Sequence, residues 1–202
     1  MKKKKSFLYP IIFMSVITAV YVSLLAFLQY STAEQVEFLA NTDLQKKILY
    51  VFDIPVESED PEEIDRQFEE HITSEKLDNG ELLYTLEENG EVKAYAFPVG
   101  GAGLWGSIEA YAGVSGDYSE LIGIEFISHE ETPGLGGRIS ENWFKEQFRG
   151  IDLTEDKEEY IIYTPAAGSN IDAITGATLT SQSVRNFLNE DIKKFIEEGK
   201  VD

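Results

Sequence analysis

The chain of 202 residues contains no cysteine. Disulfides, thiolate-held iron–sulfur clusters and thiol nucleophiles are excluded together. Histidine is almost as scarce. His71 and His129 stand far apart and share no metal-ligand spacing, so a metal site built mainly from His and Cys is excluded as well. Basic residues are few: 17 Lys and Arg face 37 Asp and Glu, a formal net charge of −20. Such a surface repels polyanions, and nucleic acid is not an expected partner. The acidity has two readings, solubility outside the cell and a docking surface for a basic partner. No internal repeat and no low-complexity linker is present. One stretch lacks charge altogether, since no charged residue occurs between Lys5 and Glu34.

That stretch, "FLYPIIFMSVITAVYVSLLAFLQYSTA", is long enough to cross a bilayer, which takes about 20 apolar residues. It shows no polar face, which argues against a buried core helix. It also exceeds the apolar run of a cleaved signal, although "STA" at 31–33 is a weak version of a cleavage site. An uncleaved anchor is the expectation. Lys2, Lys3, Lys4 and Lys5 precede it, whereas Glu34, Glu37 and Asp43 follow it. The positive-inside rule therefore puts the N-terminus in the cytoplasm and the rest outside. Residues 1–33 are expected to form a basic tip and anchor, 34–79 a helical connecting region, and 80–202 the main domain.

Residues 34–52 keep helical spacing through Val36, Leu39, Leu44, Ile48 and Phe52, either continuing the anchor or breaking near "ANTD". Asp60 and Pro61 open a helix as cap and first-turn residue. Ile64, Phe68 and Ile72 share its face. The loop "DIPVESEDPE" is the candidate flexible segment. From about residue 80 the period changes to two. "ELLYTLEENGEVKAYAFPV" predicts a hairpin around Asn89-Gly90, and "GSIEAYAGV" and "ELIGIEFIS" a second strand pair. "EEYIIYT" predicts a further strand. "NWFKEQFRG" predicts a short helix ending at Gly150. The chain closes on a helix with Val184, Leu188, Ile192 and Phe195 as its apolar stripe and Lys193 and Lys194 toward its C-terminal end. The fold class is α+β: an N-terminal transmembrane helix, then an extracytoplasmic domain with an antiparallel sheet and a closing C-terminal helix.

Three glycine-rich stretches invite a functional reading. In "DAITGATLTSQ", Thr175, Thr178, Thr180 and Ser181 surround Gly176 and Ala177 just before the closing helix. A helix needs one capping hydroxyl, supplied by Thr178 or Thr180. The same arrangement suits an anion, because free N–H groups and the dipole favour negative charge and Gly176 permits close approach. Both readings stay open on the residues alone. In "HEETPGLGGRI", Pro133, Gly134, Gly136 and Gly137 surround Leu135. They make either a tight connection or a loop laid against a planar ligand. The G-x-G-x-x-G spacing of a dinucleotide site is missing. In "GGAGLWGS", Leu104 and Trp105 are a core plug or a bed for a cofactor.

Together these motifs carry a resemblance. "DAITGATLT" matches the flavinylation signature Asp-x-x-Ser/Thr-Gly-Ala-Thr-x-Thr, with Thr175 where Ser is also common. "GLWG", then "ETPGLGG", then "W" and "F.G" occur in the order of one family. Residues 95–198 resemble the FMN-binding C-subunit of the Na⁺-translocating NADH:quinone reductase and its relative, the G-subunit of the Rnf complex. The resemblance implies covalent FMN, attached by a phosphoester to Thr178 by an extracytoplasmic flavin transferase that uses FAD. Asp172 would open the recognition signature, and Thr180 and Ser181 would bond the phosphate oxygens. Leu104, Trp105 and the turn Thr132–Gly137 would line the isoalloxazine. Glu131 would fix that turn or face the phosphate. No residue is expected to be catalytic, because no positioned acid or base stands out; His129 reads as a turn or surface histidine. The implied role is an electron-carrying subunit beside other membrane subunits of an ion-translocating oxidoreductase. A stand-alone extracytoplasmic flavoprotein and an anchored module without redox chemistry are the alternatives.

Overall fold

The computed structural model describes residues 8–77, 80–154 and 157–199. The lysines of the N-terminal tip and the expected boundary at 79/80 touch residues outside these. The chain divides into two compact units, Met1–Asn41 and Thr42–Asp202. Helix α1, Leu8–Val51, is continuous over 44 residues. It is the one helix among the described residues long and apolar enough to cross a membrane. It does not break near "ANTD". From Thr42 onward it belongs to the second unit.

Helix α2, Pro61–His71, starts as its sequence predicts. The Asp60 carboxylate accepts from the Glu62 N–H at 3.1 Å, and Pro61 occupies the first turn. Ile64 and Phe68 are buried, but Ile72 opens a strand rather than extending the helical face. Six strands follow: β1 Ile72–Lys76, β2 Leu82–Glu88, β3 Glu91–Ala102, β4 Ser107–Ser115, β5 Glu120–His129 and β6 Ile151–Asp152. They form one antiparallel sheet in sequence order. Asn89 and Gly90, at φ 55° and 79°, give the turn whose twist suits the β2–β3 hairpin.

Side chains alternate between two covered faces. Phe97, Val99, Ala110, Ala112, Val114 and Phe126 join one core with Val184, Leu188, Ile192 and Ile196 of the closing helix α4, Thr178–Gly199. Phe195 is less buried than its neighbours, yet its ring stacks on Phe97 at 3.9 Å between centroids. Ala94 and Ala96 face the other way. They pack with Ile48, Leu49, Val51 and Phe52 from the end of α1 and with Ile64 and Phe68 of α2. Beyond Ala96 the outer edge of β3 has no neighbouring strand among the described residues. Pro98 contributes no donor there, and the Gly100 N–H is taken by the Asp191 carboxylate at 3.0 Å. Both features protect an open sheet edge.

"NWFKEQFRG" folds as helix α3, Asn142–Lys145, followed by a single 3₁₀ turn, Glu146–Phe148. Gly150 ends it at φ 79°. The expected strand at "EEYIIYT" is absent. Asn189 accepts from the Tyr160 and Ile161 N–H groups and donates to the Ile161 carbonyl. Asn170 does the same for the Ile162 N–H and the Tyr160 carbonyl. Two side-chain amides thus satisfy the backbone that a neighbouring strand would have satisfied. Only an isolated bridge, Tyr163 to Ile171, remains.

Candidate cofactor site

Helix α4 begins at Thr178, whose side chain is exposed. The segment before it turns at Gly176, φ 83°, a conformation that favours glycine. The Ala177 carbonyl accepts the first helical bond, from the Ser181 N–H at 3.0 Å. Ala177 is therefore the cap position, and it has no side-chain oxygen to serve as one. Neither Thr178 nor Thr180 plays the expected capping role.

The other hydroxyls have inward partners. Ser181 is buried, and its Oγ accepts from the Ile174 N–H at 3.1 Å. Thr180 is equally buried and donates to Glu131 Oε2 at 2.6 Å. Both hydroxyls thus help to fix the first turn of α4, Thr180 as a donor to Glu131 and Ser181 as an acceptor from Ile174. Of the four hydroxyls, Thr175 and Thr178 face solvent.

Glu131 lies at the junction of three segments and is 5% exposed. Its Oε1 accepts from the Leu104 N–H at 2.7 Å and the Trp105 N–H at 3.2 Å, while Oε2 takes Thr180. Burial pushes its carboxyl upward. The Thr180 hydroxyl and the Trp105 and Leu104 amides outweigh that and hold it below the usual carboxylate range. The β3–β4 connection is tight, with the Gly103 N–H bonded to the Gly106 carbonyl at 2.7 Å. The turn after β5 is closed by Leu135 and Gly137 N–H groups on the Thr132 carbonyl. His129 links the start of that turn to Ser140 at 3.0 Å, the structural role expected of it.

Around this junction the apolar side chains point outward. Leu104 is 50% exposed, Trp105 67%, Leu135 46% and Leu179 57%. A Cβ added at Gly176 would lie 3.4 Å from Leu135 Cδ2, so the turn lies against the segment leading to Thr178. These exposed apolar side chains, from two loops and the first turn of α4, are not plugged into the core. Leu179 was not apparent from the sequence, although it falls off the stripe made by Val184, Leu188 and Ile192. Asp172 lies before the loop. Its carboxylate accepts from the Thr164 hydroxyl at 2.8 Å, and its N–H donates to Gln147 Oε1 at 2.8 Å. Nothing in the sequence singles out Thr164 or Gln147. A separate groove of about 870 Å³ lies at the open edge of β3, lined by Leu44, Pro98, Gly100, Asp191 and Phe195 among others. It contains none of the residues expected to hold a cofactor.

The FMN-binding domain family matches residues 103–193, a span that starts at the Leu104–Trp105 loop and ends in α4. The G-subunit of the ion-translocating oxidoreductase complex of Methanosarcina acetivorans is 31% identical over 199 residues, covering 95% of this chain and 96% of that one. The C-subunit of the Na(+)-translocating NADH-quinone reductase of Vibrio anguillarum is 32% identical over 114 residues, covering 54% of this chain. The aligned part makes up 45% of that relative's length. The crystal structure of the same reductase's C-subunit from Parabacteroides distasonis superposes with a TM-score of 0.66 at 24% identity, over 83% of this chain and 94% of that one. That likeness shows the shared fold. Agreement with the Methanosarcina acetivorans protein over nearly the whole of both chains, joined to the FMN-binding domain, shows that the chain belongs to the family of G-subunits of ion-translocating oxidoreductase complexes.

Proposed function

We propose that this chain is a membrane-anchored electron carrier of an ion-translocating oxidoreductase complex, with FMN esterified to the Thr178 hydroxyl. The observation that carries the proposal is the exposed Thr178 at the start of α4, two residues before Thr180, whose hydroxyl shares the Glu131 carboxylate with the amides of the exposed Leu104 and Trp105. FMN has an anionic end and a flat, largely apolar ring. The N-terminus of a helix favours the first; exposed leucines and a tryptophan on glycine-rich backbone suit the second. The site's glycines fit this use: a Cβ at Gly103 would overlap Glu131 Oε1, so the loop lies as close to the carboxylate as backbone allows.

Bound FMN supplies the redox chemistry. The chain's residues attach and orient it. Attachment would join the Thr178 oxygen to the phosphorus of the FMN half of FAD, with the pyrophosphate bond broken, AMP as the leaving group and the hydroxyl proton passing to solvent or to the leaving phosphate. An extracytoplasmic flavin transferase is the inferred catalyst, with Asp172 opening the segment it recognises. Covalent linkage suits a site facing the exterior, where scarce free FMN would leave a reversible site empty. The Lys2–Lys5 cluster supports a cytoplasmic N-terminus and an external domain. Electron carriage rather than ion conduction is the role, because the apolar stretch before Glu34 holds no charged residue to line a path. Other membrane subunits of the complex are the inferred partners.

The test is expression of the full chain with and without a flavin transferase, followed by a denaturing gel. Flavin fluorescence on the polypeptide, absent in Thr178→Ala, is the expected result. A colourless wild-type chain in the presence of active transferase would refute covalent attachment. Mild detergent extraction checks the partners: integral subunits of an oxidoreductase are expected to co-purify.

A further inference from the structure

We propose that Glu131 is a positioning residue that fixes the separation between the attachment oxygen and the surface that receives the flavin ring. The inference rests on the reading of Thr178 as the attachment point. FMN joins ring to phosphate through a ribityl chain of fixed maximum length. Once the phosphate is esterified, the ring reaches its bed only if bed and attachment point are held at a matching distance. In this fold they come from distant parts of the chain. The bed is the tip of the β3–β4 hairpin and the turn after β5; the attachment point opens α4.

Glu131 is the group that joins them. One carboxylate oxygen holds the Leu104 and Trp105 amides, and the other holds the Thr180 hydroxyl, two residues after Thr178. Its own backbone N–H is anchored on His129 Nδ1 at 3.3 Å. A neutral amide of the same shape could accept at one end only, because its nitrogen donates, and it would accept there less strongly than an ionised carboxylate. The surroundings leave no room for slack. A Cβ at Gly103 would overlap Oε1. One at Gly136 would overlap Oε2 and meet the Thr180 hydroxyl at 2.6 Å. Two glycines from separate loops thus make space for this one carboxylate. Glu131 acts through Leu104, Trp105 and Thr180, so loosening it is expected to free the ring while leaving attachment possible.

The test uses the full chain in detergent, with Glu131→Ala, Glu131→Gln and Thr180→Val. The last cuts the tie to α4 and spares the amides of the hairpin tip. Amide exchange is measured on flavin-free protein, and fluorescence anisotropy with iodide quenching on flavin-loaded protein. In Glu131→Ala, exchange at Leu104 and Trp105 is expected to rise by roughly tenfold or more while the central amides of β3 and β4 keep their protection. Anisotropy of the attached flavin falls and quenching rises. Glu131→Gln retains an acceptor oxygen and lies between Ala and wild type. Thr180→Val raises flavin mobility with little change at Leu104 and Trp105.

Unchanged exchange at the hairpin tip overturns the proposal. So does exchange raised throughout the sheet in all three variants, which would make Glu131 a general support of the fold. A freed tip with a flavin as immobile as in wild type also overturns it. So does loss of attachment in both Glu131→Ala and Thr180→Val, which would place the tie in transferase recognition. A wild-type chain without attached flavin defeats the covalent reading alone; the exchange measurements on flavin-free protein still decide whether Glu131 is the tie.

Discussion

The two faces of the sheet are held by different physics. On the α4 face, Phe97, Val99, Ala110, Ala112 and Val114 meet Val184, Leu188 and Ile192 in a core of hydrocarbon and stacked rings. On the opposite face the end of α1 is fixed by charge as well as by packing. Arg149 donates to the Tyr50 and Val51 carbonyls at the end of that helix and to the Ile122 carbonyl of β5, so it ties the helix end to the sheet. Its guanidinium and the Lys145 ammonium both lie over the Tyr50 ring, at 4.7 and 4.2 Å from the centroid. Lys145 also pairs with Glu125, with both side chains at least nine-tenths buried. Apolar packing tolerates small shifts in angle, whereas directed bonds to named carbonyls do not. The second face therefore sets where α1 ends on the domain, and the first sets where α4 begins and hence where Thr178 stands.

The largest expected effect tests the charged face. Lys145→Ala leaves Glu125 buried and uncompensated, at a cost of about 3–5 kcal/mol, read by chemical denaturation of the full chain in detergent. Replacing both partners, Lys145→Met with Glu125→Leu, is expected to recover most of the loss. A double variant as unstable as the single one would show that the charges do more than pair. On the apolar face, Leu188→Ala is expected to cost about 2–5 kcal/mol, with no dependence on salt. A marked salt dependence would blur the contrast between the faces.

Gly136→Ala moves the comparison to the rim of the α4 face. The added Cβ would press on Glu131 and Thr180, at about 1–3 kcal/mol in melting experiments. The smallest effect is expected at Asp191. Burial pushes its carboxyl above the usual range, and the Gly100 N–H offsets part of that. A raised folded-state value means that protonation favours the fold. The favourable contribution is complete below the unfolded pKa of about 3.9 and is lost as pH rises through the folded value. Asp191→Asn is therefore expected to stabilise the chain slightly at neutral pH. The gain stays below about 1 kcal/mol because the half-exposed group is screened. It is also expected to flatten the stability profile on the side above the unfolded carboxyl value. An unchanged profile would mean that Asp191 contributes only its hydrogen bond to β3.

Legibility followed the range of the forces involved. The Asn89-Gly90 hairpin and the Asp60-Pro61 helix start depend on neighbours in sequence, and both form as predicted. Strand β1 was illegible because its residues are mostly polar and exposed; pairing with β2 makes it a strand. "EEYIIYT" carried a strand composition, yet amides from Asn170 and Asn189 took its backbone bonds. The motifs of the candidate site were visible as three glycine-rich stretches. That Leu104 and Trp105 are exposed rather than plugged into the core was not.

By itself the sequence determined a charge-free apolar anchor, an acidic α+β domain without thiols, and a signature threonine before the last helix. These depend on composition and on local spacing, which any stretch of chain carries with it. Only the tertiary structure decided the use of each hydroxyl. Thr180 turns inward because the Glu131 carboxylate, 49 residues earlier in the chain, arrives beside it. Ser181 turns inward toward Ile174, and Thr178 is left facing solvent. A buried donor or acceptor must find a partner, and which partner comes within reach is fixed by how the sheet brings distant segments together.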